Sequence, residues 1–343
     1  MIGRTKIILF FCLIYCFNIQ ANSNEKHYQN AYLLITSMLE GQYNLDFKKA
    51  VYITENAYFE DQLNEGAFND IIRFYLTISN EIKESGDILY DDRDKEKAST
   101  QCAVFLCMTD SFNVQTVEGI AVYKPFTYNY DDFAGQKDWT NMFVSKMMQT
   151  NKGNCHSMPY LYKMIMDELG QEAFLSLAPN HIYIKANNKK VGWYNIELTC
   201  GDFPTDAWLM ASGYIHTDAI RNGIYMSALD DKQSVCLTLV DLAQGYQAKY
   251  GTGDGSFILK CCDTALQYFP DYINALLLKA ETITELYKQN QSEELLLQMN
   301  DIYTKIHTLG YRKMPESMYL KWLESLTTQN TDNRIKSIIV RNN

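Results

Sequence analysis

The sequence predicts an α+β protein. Two long stretches, residues 27–98 and 236 onward, carry apolar residues at three-to-four spacing and few turn residues. Between them, residues 173–199 alternate apolar and polar side chains in short runs, as half-buried strands do. One strongly periodic helix joins these two kinds of structure, directly after Gly153-Asn154-Cys155-His156-Ser157.

The 343 residues suffice for two or three domains, and 47% hydrophobic content suffices for a sizeable core. The net charge of −10 comes with no basic patch, which argues against nucleic acid as a partner. Residues 1–21 read as a signal peptide. Arg4 and Lys6 form a basic start, Ile7 to Ile19 an apolar run, and Ile19-Gln20-Ala21 a cleavage site. The alternative is a lipobox at Leu13-Ile14-Tyr15-Cys16, with Cys16 as a lipid anchor, although Tyr15 stands where a small residue belongs. The expected location is therefore outside the cytoplasm, periplasmic or attached to the cell envelope. A membrane is reached only through that anchor.

Residues 22–98 read as a helical N-terminal region. Phe68, Ile71, Ile72, Tyr75, Ile78 and Ile82 make its clearest stripe, and Ser85-Gly86-Asp87 ends it. The charge run Asp91 to Lys97 reads as a solvated loop or helix start. Ala103 to Met108 reads as helix, Tyr123 to Asp132 as an aromatic loop, and Trp139 to Met148 as helix again, broken at Gly153. The loop residues Tyr128, Asn129 and Tyr130 are candidates to line a cleft or to donate a hydrogen bond there.

In the next helix Met158, Leu161, Tyr162, Ile165, Met166 and Leu169 form one apolar face, and Gly170 suits the C-terminal turn. Pro159 is tolerated only in a first turn, so the helix begins just before it and Cys155 lies at its N-terminus. A strand over Ala173 to Leu177 follows, then His181 to Lys185 and Trp193 to Thr199 as a hairpin around an Asn187-Asn188 turn. Residues 99–235 thus form a core, and residues 236–343 a helical tail. Within the tail, Ala265-Leu266, Phe269-Pro270-Asp271 and Asn274-Ala275-Leu276 have the spacing of a tetratricopeptide helix junction. A weaker echo runs from Ile306 to Leu326, and the tail reads as a small appendage fit for a protein partner.

Seven cysteines remain beyond the leader: Cys102, Cys107, Cys155, Cys200, Cys236, Cys261 and Cys262. No pair has zinc spacing, so neither metal nor organic cofactor is expected, and most read as small buried hydrophobes. Cys155 differs in its setting. Thiols attack acyl groups as thiolates, and both a helix N-terminus and an imidazole favour that form. His181 is the candidate base. Its orienting partner is Glu197 or Asn195, which strand alternation puts on one face. His156 reads as a rim residue, His216 and His307 as surface or satisfied core histidines, and Asp230-Asp231 as a turn.

The run Gly153-Asn154-Cys155-x-Ser157 with its helix ending Leu169-Gly170, then Pro179-Asn180-His181, then Trp193-x-x-x-Glu197, resembles the transglutaminase-like superfamily. It looks closest to the bacterial branch that ends in tetratricopeptide repeats. The resemblance implies a papain-like core, a helix packed on an antiparallel sheet, with Cys155 as nucleophile and His181 as base. The family's third residue is usually an aspartate four positions after a tryptophan; Glu197 stands there in this chain. The implied activity is acyl transfer or amide hydrolysis on a protein or peptide through a Cys155 thioester. The alternative is an inactive binding scaffold, in which Cys155 and His181 lie apart or their cleft is filled by Tyr128 or Trp193.

Overall fold

A computed structural model describes residues 25–116 and 119–315, with 317, 318 and 321 beyond them. The leader, the Cys16 anchor and the later part of the weaker echo, Tyr319 and Trp322 included, lie outside the described residues. The architecture is mixed α+β and mostly helical. Helix α1 covers residues 25–39. Then come α2 (Phe47–Tyr58), α3 (Glu65–Glu84) and α4 (Lys95–Thr109), the first two opened by Asp46 and Asn64, whose side chains accept first-turn N–H bonds. Strands β1 (Phe112–Thr116) and β2 (Gly119–Tyr123) form an antiparallel hairpin. Two-residue strands β3 (Thr127–Tyr128) and β4 (Lys152–Gly153) pair in parallel. Between them stand a 3-10 turn at Trp139–Met142 and α5 (Val144–Thr150).

The centre of the molecule is α6 (Ser157–Glu168) against a three-stranded antiparallel sheet, β5 (Phe174–Ala178), β6 (His181–Asn188) and β7 (Gly192–Ile196). Short α7 (Asp206–Ser212) and α8 (Thr217–Arg221) lead to α9 (Asp231–Tyr250), α10 (Ser256–Tyr268), α11 (Ile273–Asn290) and α12 (Glu293–Thr308). Each of these last four packs against the next.

The structure corrects four expectations. Every residue of α6 from Ser157 to Met166 is buried, so this helix is enclosed rather than amphipathic. Helices α3, α4 and α5 cover the side that the sheet leaves open. Even Lys163 is buried there, its ammonium held by Asp167 and Asp231 at 2.9 and 3.0 Å. The stretch 139–148 is not one helix. Asp138 caps the 3-10 turn, and Phe143 turns extended before α5 begins. The turn of the second hairpin lies after Asn188, whose side-chain Oδ1 accepts from the N–H groups of Lys190 and Val191.

The tail is not a separate appendage. Helix α9 is buried on nearly every side over Ser234–Tyr246, which is the mark of an interior helix. Helix α2 packs on it. From α1, Tyr28 meets Tyr246, Tyr250 and Phe257 edge-on at 5.3, 5.8 and 5.9 Å. One hydrophobic cluster therefore runs from Tyr28 to Ile306 through α6 and the sheet.

Candidate active site

Cys155 sits two residues before α6, between β4 and the helix. Gly153 lets the chain enter: a Cβ there would stand 2.4 Å from Met147 Sδ and 2.7 Å from Met158 Cγ. Asn154 then fixes the turn. Its Oδ1 accepts from the N–H groups of His156 and Ser157 at 3.0 and 2.9 Å and from the Ser157 hydroxyl at 3.1 Å. Its Nδ2 donates to the carbonyls of Phe133 and Asn141. The side chain is wholly buried, so each of these bonds is made in a dry setting where a missing one is costly. Two of the helix-start N–H groups expected to meet an oxyanion are therefore taken. Among the described residues none accepts from the Cys155 N–H itself.

The Pro179-Asn180 turn between β5 and β6 brings His181 to the thiol. Asn180 takes a left-handed φ of 54°, and its carbonyl lies 3.9 Å from Cys155 Sγ. His181 opens β6 paired with Ala178. Its Nε2 lies 2.5 Å from Glu197 Oε2, and both side chains are 1% exposed. Cys155 acts on the His181 ring as well, raising its value. Since Nε2 is engaged by Glu197, Nδ1 is the nitrogen that faces the thiol.

The electrostatics follow from this chain of contacts. Burial by itself would lower the His181 value. The Glu197 carboxylate and Cys155 overcome it and raise the ring to about 10. Burial opposes ionisation of Glu197 too, yet His181 and the bonds from Thr199 hold its carboxyl below the ordinary range. Thr199 supplies a hydroxyl at 2.6 Å and an N–H at 3.1 Å to Glu197 Oε1. Both carboxylate oxygens are thus occupied, one by the imidazole and one by Thr199.

Of the two candidate orienters, only Glu197 reaches the histidine. The sheet register explains the choice. Lys185 pairs with Asn195 and Ile184 with Ile196, so Glu197 falls opposite Tyr183 and diagonal to His181. Asn195 lies two positions further away. There its Oδ1 accepts from Lys185, and its Nδ2 donates to Asp206 and to the Pro204 carbonyl. Glu197 follows the last residue of β7, where the backbone bridges to Asp202 at 2.8 and 3.0 Å. The longer glutamate arm spans the diagonal from that anchored point.

The aromatic loop is seated at the thiol by the β3–β4 pairing and by the Asn129 N–H bonded to the Gly153 carbonyl at 2.8 Å. Tyr128 packs on Tyr130 and Phe133. Trp193 is exposed and packs on Phe174, at the far end of β7 from Glu197. His156 turns away from the cleft into the protein, where Asp241 Oδ1 meets its Nε2 at 3.0 Å. His216 caps α8, and Asp230 forms a capping box with Gln233 at the start of α9.

Sequence reasoning missed Asn154, Thr199 and Asp241. Asn154 and Thr199 stand inside the motifs that were read, so a test for side-chain caps would have found them. Asp241 lies 86 residues from Cys155, and no local signal connects the two. All seven described cysteines are free and buried. In Cys102, Cys107, Cys200, Cys236, Cys261 and Cys262 burial pushes the thiol up. Among the described residues no group of three His, Cys, Asp or Glu side chains is placed to hold a metal ion, and no helix is long and apolar enough to cross a membrane. No family model, curated protein or solved structure matches the chain.

Proposed function

We propose that this protein is a thiol enzyme of transglutaminase-like type, acting by acyl transfer or amide hydrolysis on a protein or peptide. The observation that carries the reading is the buried His181–Glu197 contact, backed by Thr199, on a ring whose value Cys155 also raises. The placement of the three reactive groups supports the papain-like reading as well: the thiol before a central helix, the imidazole opening the middle strand, the carboxylate just past its neighbour.

The chemistry follows from the atoms. With its proton on the imidazole, Cys155 Sγ attacks the amide carbonyl carbon, and the carbonyl electron pair moves onto oxygen. The backbone N–H of Cys155 is the donor we assign to that oxyanion. The pair returns, the C–N bond breaks, and His181 Nδ1 gives its proton to the departing amine. A thioester remains. Water or a second amine then attacks it, with His181 taking the incoming proton and the thiolate leaving. Glu197 keeps Nε2 protonated throughout, which leaves Nδ1 free to carry the mobile proton. The leader and the helical tail keep their readings of export and of a protein-contact surface.

The test is labelling with an amide-derived electrophilic probe followed by peptide mapping. The wild type is expected to carry the adduct on Cys155, with labelling lost in Cys155→Ala and cut at least tenfold in His181→Ala. Equal labelling of wild type and His181→Ala would overturn the reading.

A further inference from the structure

A second imidazole–carboxylate couple, each side chain 15% exposed, stands directly behind the nucleophile. His156, the residue after Cys155, is the N-cap of α6, yet its side chain caps nothing. Its Nδ1 meets the Met142 carbonyl at 3.0 Å, and its Nε2 meets Asp241 Oδ1 at 3.0 Å. The other carboxylate oxygen, Asp241 Oδ2, accepts from the Tyr160 hydroxyl at 2.8 Å. Residues 156 and 160 are one helical turn apart, and their rings pack at 4.1 Å. A single carboxylate from α9 thus grips both ends of the first turn of α6.

Stability alone does not account for an acid at this place. Asp241 stands in the middle of α9, flanked by buried Leu239, Val240, Leu242 and Ala243. A buried ion pair is often no more stabilising than the apolar side chains that would replace it. What the pair does supply is direction. Met142, from the 3-10 turn, and Asp241, from α9, fix the His156 ring between them. The Cα of His156 is one peptide unit from that of Cys155.

We infer that His156 and Asp241 are positioning residues for the Cys155 thiol, and that α9 thereby sets the orientation in which Sγ meets His181. The inference rests on the proposed role of Cys155. Neither residue touches the reacting atoms; both act through the backbone of the helix start. The requirement is geometric, since a displacement of about 1 Å at a reacting atom costs about a hundredfold in rate.

The test measures the second-order rate of Cys155 carboxamidomethylation by iodoacetamide, resolved by peptide mapping, in the full chain. Asp241→Leu replaces the carboxylate with an apolar side chain and removes the grip. It leaves His156 Nε2 and the Tyr160 hydroxyl without their acceptor, so the melting temperature is expected to fall, and at a temperature well below the melt the Cys155 rate is expected to drop at least fivefold. Asp241→Asn keeps one bond and is expected to fall between Asp241→Leu and wild type. If Asp241→Leu does not fold, Asp241→Asn decides alone, with a rate at least twofold below wild type expected. His181→Ala is the control for the site. If it lowers the rate and the Asp241 variants react within twofold of wild type, the positioning role is overturned while the nucleophile stands. If His181→Ala leaves the rate unchanged, the reading of the site fails, and this inference with it.

Discussion

Glu197 and His181 share a 2.5 Å contact in which neither side chain reaches solvent. A carboxylate so placed fixes the ring's orientation and its tautomer together. Glu197→Gln keeps the shape and loses the charge, and is expected to slow acylation of Cys155 about 10²–10³-fold. Glu197→Asp keeps the charge and shortens the arm by one methylene. It cannot span the diagonal to His181 and still hold Thr199, so a loss of about tenfold is expected. Single-turnover acylation by the amide-derived probe measures both.

The same pair makes stability depend on alkaline pH. His181 titrates at about 10 in the fold, above its ordinary 6.5. Its contribution is therefore fully present below about 6.5 and is lost as pH rises through about 10. In urea titrations, the stability margin of wild type over His181→Gln is expected to shrink between pH 6 and pH 10, by on the order of 2–4 kcal/mol. A margin that stays level across that range would contradict the pairing.

Glu55 sets a second, lower window. From α2 it accepts the N–H groups of Val144 and Ser145 at 2.7 and 3.0 Å, and so caps α5 across 89 residues of sequence. Burial pushes its carboxyl up to about 7, against the pull of those bonds. A raised carboxyl favours the fold below its ordinary value of 4.5 and loses that advantage as pH rises through 7. Glu55→Gln is expected to flatten the dependence of melting temperature between pH 4.5 and pH 8. Glu55→Ala leaves two buried donors bare and is expected to cost about 2–4 kcal/mol by urea unfolding.

Gly153→Ala tests how tightly the chain is threaded into the site. The added methyl meets Met147 Sδ and Met158 Cγ well inside contact distance. Methionine yields more readily than backbone, so the chain is expected to fold with a loss of about 1–3 kcal/mol. The strain falls two residues from Cys155. Iodoacetamide reactivity of Cys155 is expected to drop more, in proportion, than the melting temperature does.

Much of this site was legible because its signals are local. Pro159 placed the start of α6, Gly170 its end, and alternation placed His181 on a strand and Glu197 one residue beyond the end of the next. The choice between Glu197 and Asn195 was not legible. It depends on strand register, and alternation alone gives both residues the same face. The hairpin of Phe112–Thr116 and Gly119–Tyr123 went unread because the apolar side chains of β2 mostly face water and show no alternation. The tail was misjudged for a different reason. An interior helix such as α9 has no polar face, and periodicity gives no sign of what will cover it.

The grip of α9 on the first turn of α6 has a consequence in time. The Cys155 helix start is complete only when residue 241 has arrived, and Tyr28 finds its aromatic neighbours only when 246 to 257 have. Contacts of such long sequence separation form late, after the intervening chain has been ordered. A chain that ends before residue 241 thus holds its cysteine, its histidine and its glutamate without the contact that α9 makes to the first turn of α6.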